Sequence, residues 1–106
     1  LERIGESSGC AIQLDPQFEV APTPADRTVK QAIAASAQSH GFKASSLPSR
    51  ASHDAQEIGR RWPMGMIFVP SRGGFSHSAA EFTEPSHCLA GTQVLLDTLR
   101  RLDRTL

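Results

Sequence analysis

From Cys10 to Val20 apolar and polar side chains alternate. Cys10, Ile12, Leu14, Phe18 and Val20 fall on one side, and Gln13, Asp15, Gln17 and Glu19 on the other. A period of two describes a half-buried strand. Pro16 occupies the apolar phase but has no N–H for a ladder, so this strand is expected at a sheet edge or with a bulge. Ala21-Pro22-Thr23-Pro24 stops it. Thr23 followed by Pro24 reads as a helix cap and first helical position. Ala25, Val29, Ala32, Ile33 and Ala37 then form an apolar stripe that ends at Gly41, which predicts a helix over about residues 24 to 40.

Phe42 to Leu47 reads as a short strand, Pro48 to His53 as a loop, and Asp54 to Arg61 as a short helix closed before Pro63. Met66-Ile67-Phe68-Val69 differs in kind, because a continuously apolar run suits a strand covered on both faces. Ser71 to Ser78 is a glycine-bearing loop at the carboxyl end of that strand, where open α/β sheets collect ligands. In the last segment, His87 to Leu106, the residues Leu95, Leu99, Leu102 and Leu106 share one helical stripe beside Val94 and Cys88. Asp97 is spaced to pair with Arg101. Strand and helix alternate, so the expected fold class is α/β, a layered helix-sheet-helix arrangement in which the last helix packs on the sheet.

The composition suits a globular domain: 106 residues, 39% hydrophobic and 21% charged, with 11 basic and 11 acidic side chains and no net charge. A chain of this size is expected to bury a real core without staples. Arg60, Arg61, Arg72, Arg100, Arg101 and Arg104 are scattered among acidic residues, so no basic footprint for nucleic acid is present. No apolar run approaches the roughly 20 residues of a membrane span. The first residue is Leu1 and no signal-peptide pattern comes after it, so the chain is expected to be processed or excised from something longer. Cys10 and Cys88 are expected to be thiols buried as small hydrophobes in a reducing compartment. The absence of asparagine, and with it of any glycosylation sequon, agrees with a cytoplasmic origin.

Candidate chemistry rests on the four histidines, the side chains that titrate near neutrality. His40 at a helix C-terminus and His87 near a helix start have structural explanations. His53 and His77 lie in loops on either side of the apolar run. A loop histidine at a strand's carboxyl end can offer a ring nitrogen to a metal, with a carboxylate such as Glu81 orienting the other nitrogen.

Three stretches carry a resemblance. They are Ser49-Arg50-Ala51-Ser52-His53-Asp54-Ala55-Gln56, then Met66-Ile67-Phe68-Val69-Pro70-Ser71, then Gly74-Phe75-Ser76-His77-Ser78-Ala79-Ala80-Glu81-Phe82-Thr83. In order and spacing they resemble the closing part of the metal-dependent amidohydrolases that include N-carbamoyl-L-amino acid hydrolase, allantoate amidohydrolase and β-ureidopropionase. These are relatives of the two-metal peptidases of the aminoacylase and carboxypeptidase type. The resemblance implies that His77, matching the Gly-Ile-Ser-His-Ser-Pro-Ala-Glu motif, is a metal ligand. Phe75 and Ala79 stand where that motif has Ile and Pro. It implies that His53, matching Ser-Gly-Ala-Gly-His-Asp-Ala, faces the substrate and helps bind or polarise the scissile ureido group. Arg50 and Ser52 replace glycines there, which alters the loop if either position needs a positive φ. Asp54 and Glu81 match motif positions and are expected to support these histidines or to cap helices.

The implied chemistry is hydrolysis of a linear amide or ureido C–N bond by water activated at two divalent ions, zinc or manganese. The implied partner is a small N-carbamoyl or ureido substrate, and the implied parent is a homodimer. By the same resemblance, residues 1–22 finish a lid and dimerisation domain and return to the catalytic domain, whose C-terminal segment is 23–106. Because the other ligands and the general base lie earlier in that family, the 106-residue chain alone is expected to be inactive. Three other readings compete. Ser71-Arg72-Gly73-Gly74 could form an anion nest. Ser76 or Ser78 could serve as a nucleophile with His53 and Asp54, although position 78 lacks the glycine of a Gly-x-Ser-x-Gly elbow. A non-catalytic interaction domain could dock through the leucine-rich final helix.

Overall fold

The computed structural model describes residues 2–104, so the Leu106 end of the predicted stripe lies outside them. Four α-helices occur in order: α1 (Glu2–Ser8), α2 (Arg27–Ser39), α3 (Asp54–Gly59) and α4 (Pro85–Asp103). A 3₁₀ turn spans Arg72–Gly74. Nothing in the hydrophobic pattern announced α1.

Helix α2 starts later than the Thr23-Pro24 pair suggested. Asp26 is the cap, its Oδ1 accepting from the Val29 N–H at 3.0 Å, so the carboxylate takes one of the free amides of the first turn. The helix ends as the glycine predicted. Gly41 turns left-handed at φ 74°, the Phe42 N–H donates to the Ala37 carbonyl at 2.9 Å, and the Gly41 N–H donates to that of Gln38 at 3.0 Å. Helix α4 begins at Pro85, whose fixed φ suits a first helical position, and carries the expected Asp97–Arg101 pair at 3.2 Å.

Helices α2 and α4 pack on one another. Their seam is built from small and β-branched residues: Ser36, Ala37, Val94 and Thr98 are the buried ones. The Thr98 hydroxyl turns back to the Val94 carbonyl at 2.7 Å, which removes a polar group from the seam. At the seam's edge the Ser39 hydroxyl donates to Asp97 Oδ2 at 3.2 Å. The leucine stripe is therefore not the buried face: Leu95 and Leu99 remain 49% and 56% exposed, one position round from Val94 and Thr98.

The expected sheet is absent, since no strand forms among the described residues. Segments 10–20 and 42–47 run without ladder partners, and Phe18 is 83% exposed. The physical reason is that an alternating segment becomes a strand only when another strand satisfies its backbone groups. Segment 65–69 comes nearest. The Met64 carbonyl accepts from the Asp26 N–H at 2.7 Å, which ties the segment to the start of α2. Gly65 lets it approach α2, because a Cβ there would stand 2.5 Å from Val29 Cγ1. Gly91 lets α4 approach it, because a Cβ there would stand 2.6 Å from Val69 Cγ1. Ile67 and Val69 face a groove of about 380 Å³ shared with Val29, Ile33, Leu95 and Leu99. Phe68 points away and is 48% exposed, so one face of this apolar run is covered rather than the expected two.

The expectation of a sizeable core fails with the sheet. Among the described residues the buried apolar side chains are Ala37 and Val94. The chain exposes 9164 Å², against roughly 5,800 Å² for a compact protein of its mass. Its radius of gyration is 19.0 Å, against about 13 Å for a compact domain of this length. Cys10 and Cys88 are both exposed free thiols, which corrects the expectation of burial. Among the described residues no helix is long and apolar enough to cross a membrane.

Two outcomes are expected from this packing. Gly91→Ala sets the roughly 1 kcal/mol that alanine gains over glycine within a helix against a clash with a short, branched valine, which costs about 1–3 kcal/mol. A lower denaturation midpoint is expected, and an unchanged or higher one would mean that segment 65–69 does not rest on α4. The second outcome concerns Asp97. Desolvation raises its pKa, but hydrogen bonds from Arg101 and Ser39 and the charges of Arg101 and His40 outweigh this and hold the carboxyl below its ordinary 3.8. A lowered folded-state value stabilises the fold above the unfolded value, and that contribution is lost as pH falls through the folded one. Asp97→Asn should therefore flatten the acid limb of a stability–pH curve below about pH 4, and a limb identical to wild type would show that the carboxylate contributes nothing there.

Candidate functional site

Segment 65–69 carries a histidine loop at each side. Before it, Pro48 to His53 leads into α3, with His53 as N-cap in extended conformation. The His53 N–H donates to Gln56 Oε1 at 3.1 Å, and the Gln56 N–H donates to the His53 carbonyl at 2.9 Å, so the backbone at this histidine is fixed from both sides. Asp54 and Glu57 fall in the first turn of α3, where negative charge suits the helix dipole. Asp54 is thus the first residue of α3, next to the cap His53.

The His53 ring is held as well. Its Nε2 lies 2.7 Å from the Ser49 hydroxyl, and its edge meets the Phe68 ring at 5.9 Å and 63°. The half-buried imidazole borders a hollow of about 250 Å³ lined by Val20, Ser52, Asp54, Gln56 and Glu57. Arg50 and Ser52, standing where glycines were expected, do not have positive φ, so side chains there cost the loop no strain. The larger groove beneath segment 65–69 contains no histidine or carboxylate and belongs to packing.

After the segment, residues 71–84 form a loop with a tied neck. The Arg72 N–H donates to the Phe82 carbonyl at 2.7 Å. The Arg72 guanidinium lies 4.4 Å from the Phe82 ring centroid and donates to Glu84 Oε1 from Nη2 at 2.6 Å and from Nε at 3.2 Å. Gly73 and Gly74 turn the chain at φ 64° and 72°. The guanidinium is engaged by Glu84 and Phe82, which leaves the anion-nest reading without its arginine. Exposed His77 stands at the outer part of this loop with φ 55°, and it is the non-glycine residue of positive φ among the described residues. Left-handed backbone costs an L-residue roughly 1–2 kcal/mol, and such strain concentrates at functional positions. The Glu81 carboxylate accepts from the His77 backbone N–H at 2.9 Å, not from its ring as expected. The ring makes no hydrogen bond among the described residues.

His53 and His77 are not joined by any hydrogen bond or ring contact among the described residues, and neither Ser76 nor Ser78 reaches His53. His40 caps α2 and stacks on Phe42 at 6.1 Å, and His87 lies in the first turn of α4, both as expected. As a metal donor, His77 has the right chemistry: an exposed imidazole with both nitrogens unengaged. No group of three His, Cys, Asp or Glu side chains among the described residues could hold an ion. A zinc site wants about four ligands, and the described residues do not gather three around His77.

Comparison with known proteins decides the family. The model of peptidase family M20/M25/M40 matches residues 5–101, which include both histidine loops. The chain belongs to peptidase family M20/M25/M40. Members of the M20 family are generally metal-dependent. The chain is 42% identical to allantoate amidohydrolase of Bacillus subtilis (strain 168) over 94 residues, covering 89% of this chain and 23% of the relative. It is 35% identical to N-carbamoyl-L-amino acid amidohydrolase of Geobacillus stearothermophilus over 101 residues, covering 95% and 25%. It is 36% identical to ureidoglycolate hydrolase of Arabidopsis thaliana over 81 residues, covering 76% and 17%. The chain thus spans about a quarter or less of the length of these relatives. No solved structure gives a significant match.

Sequence reasoning named both histidines but missed what holds them. Ser49 lies four residues before His53, and a hydroxyl so close in the chain was a readable signal. Arg72 and Glu84 are twelve residues apart with no periodicity linking them, so their pairing was not readable. The neck yields a prediction. The ion pair is exposed and its value small, so Arg72→Ala should lower global stability by less than about 2 kcal/mol while speeding proteolytic cleavage within residues 73–81. Cleavage at the wild-type rate would show that the neck does not hold the loop.

Proposed function

We propose that the chain is part of a metal-dependent hydrolase that cleaves linear ureido or carbamoyl C–N bonds, as in an N-carbamoyl-L-amino acid, allantoate or a ureidopropionate. The observation that carries this is the 42% identity to an allantoate amidohydrolase over a stretch that includes both histidine loops. Carbamoyl amino acids, allantoate and ureidoglycolate, which the relatives' names refer to, share a carbonyl flanked by amide nitrogens. In this reading His77 gives one imidazole to a two-ion centre of zinc or manganese, and His53 binds or polarises the substrate carbonyl. The ions, when bound, supply an acidified water and a Lewis acid for that carbonyl. Ser49 holds the His53 ring by Nε2, which leaves Nδ1 as the nitrogen open to substrate.

In the same reading residues 1–22 close a lid and dimerisation domain, and 23–106 end a layered α/β catalytic domain. There, segments 42–47 and 66–69 gain strand partners from the rest of a longer polypeptide. The excess surface supports this, since roughly 3,000 Å² beyond a compact protein exceeds a standard protein interface of about 1,600 Å². A homodimeric, cytoplasmic parent completes the proposal. The exposed Leu89, Leu95, Leu96 and Leu99 of α4 favour a second reading, a non-catalytic docking domain.

One experiment separates the two. The full-length protein should hold metal and release ammonia from carbamoyl amino acids or allantoate, His77→Ala should lose both, and the 106-residue chain alone should release none. A full-length protein without metal, or a His77→Ala variant that keeps metal and rate, would return the docking domain to first place.

A further inference from the structure

We propose that Glu81 is the positioning residue of the second loop: its carboxylate holds the His77 backbone in the left-handed conformation and thereby sets where the imidazole stands. The proposal rests on the reading of His77 as a metal donor only for its consequence, not for its geometry. A histidine at φ 55° returns to the extended or right-handed region unless something holds it, because its Cβ is crowded there. The hydrogen bond from the His77 N–H to Glu81 Oε2, at 2.9 Å, is the contact that opposes this return. The Glu81 N–H in turn donates to the Ser78 carbonyl at 3.0 Å, so two bonds enclose residues 77–81 in one small ring of chain.

The tied neck of the loop fixes Glu81 in place. Phe82 accepts from the Arg72 N–H and lies under the Arg72 guanidinium, and Glu84 takes that guanidinium. The acceptor is therefore anchored one residue from the neck, and the histidine hangs from it. On the other limb Gly73 and Gly74 make the turn, and Ser76 and Ser78 beside His77 are exposed. The consequence for function is specific. A carboxylate bonded to a backbone N–H fixes the φ of His77 and leaves both ring nitrogens free, whereas one bonded to the ring would occupy a nitrogen. Its role needs an acceptor oxygen and no charge, and this separates it from a metal ligand or a proton carrier.

The test uses the intact protein, labelled with ¹⁵N-histidine, as wild type, Glu81→Gln and Glu81→Ala, with His77→Ala to assign the resonance. In the metal-free protein the His77 amide should exchange about tenfold or more slowly in wild type and Glu81→Gln than in Glu81→Ala. With zinc alone, competed against a chromophoric chelator, Glu81→Gln should bind close to wild type and Glu81→Ala about tenfold or more weakly. An unprotected His77 amide in the wild type overturns the proposal. So does a Glu81→Gln variant as impaired as Glu81→Ala in both measurements, which would show that the carboxylate acts through its charge and not as an acceptor. If the amide is protected through Glu81 while zinc binding ignores both Glu81→Ala and His77→Ala, the positioning stands and the metal-donor reading of His77 falls.

Discussion

Both histidine loops take their place from the close contact of α2 with α4. Close helix packing requires small side chains at the seam, and Ser36, Ala37, Val94 and Thr98 provide them. Beside the seam, Val29 and Ile33 of α2 and Leu95 and Leu99 of α4 line a groove of about 380 Å³. Segment 65–69 lies in that groove, admitted at one end by Gly65 against Val29 and at the other by Gly91 against Val69. Each loop is continuous with this segment or touches it. Phe68 meets the His53 ring from its exposed side, and Ser71, two residues past Val69, opens the loop that bears His77. A seam made of four short side chains thus sets the base for one half-buried imidazole, His53, and one exposed, His77.

How far the fold was readable depended on whether an element could satisfy itself. Helices close their own backbone hydrogen bonds, and α2, α3 and α4 appear within a few residues of where periodicity put them. Their ends obeyed local chemistry: Gly41 was a legible stop, Pro85 starts α4 two residues before the expected His87, and Asp26 displaced Thr23 because its carboxylate meets the Val29 amide. Strands cannot close their own bonds. The alternation in 10–20 and the apolar run in 66–69 are genuine sequence signals, yet with no ladder partner among the described residues they stay extended and unpaired. The pattern describes what a segment would do in a sheet, and says nothing of whether the partner lies in the same 106 residues. Helix phase misled for a related reason. The leucine stripe of α4 is its most apolar line, but close packing selected the narrower Val94 and Thr98 line beside it.

The candidate site was legible in its letters and opaque in its supports. His53 and His77 stood out by residue type, loop position and motif, and the structure leaves both accessible. The glycine replacements at Arg50 and Ser52 looked like a disturbance of the first loop, but neither position has positive φ. Strain falls on His77 itself, where sequence offered no warning, because a histidine's side chain says little about its own backbone angle. What holds each imidazole comes from a different distance along the chain: four residues for Ser49 and Glu81, fifteen for Phe68. Only the short separations leave a trace that a motif can carry.

These supports share a property that bears on how the site can work in a longer polypeptide. None of the bonds that orient His53 or His77 lies in the α2/α4 seam, and all involve groups at least partly exposed to water. Each loop is therefore ordered by its own polar contacts, and the second one also runs directly into α4 through its cap Glu84. Covering the exposed apolar faces would stabilise the seam without altering the φ of His77 or the Ser49–His53 bond. The reverse also holds, because loosening a loop by removing its acceptor leaves the seam intact. Failure of a histidine to reach its partner would then be a local event, detectable in that loop while the helices remain folded. This separation is what allows changes at Ser49, Arg72 or Glu81 to be interpreted as changes of geometry rather than of folding.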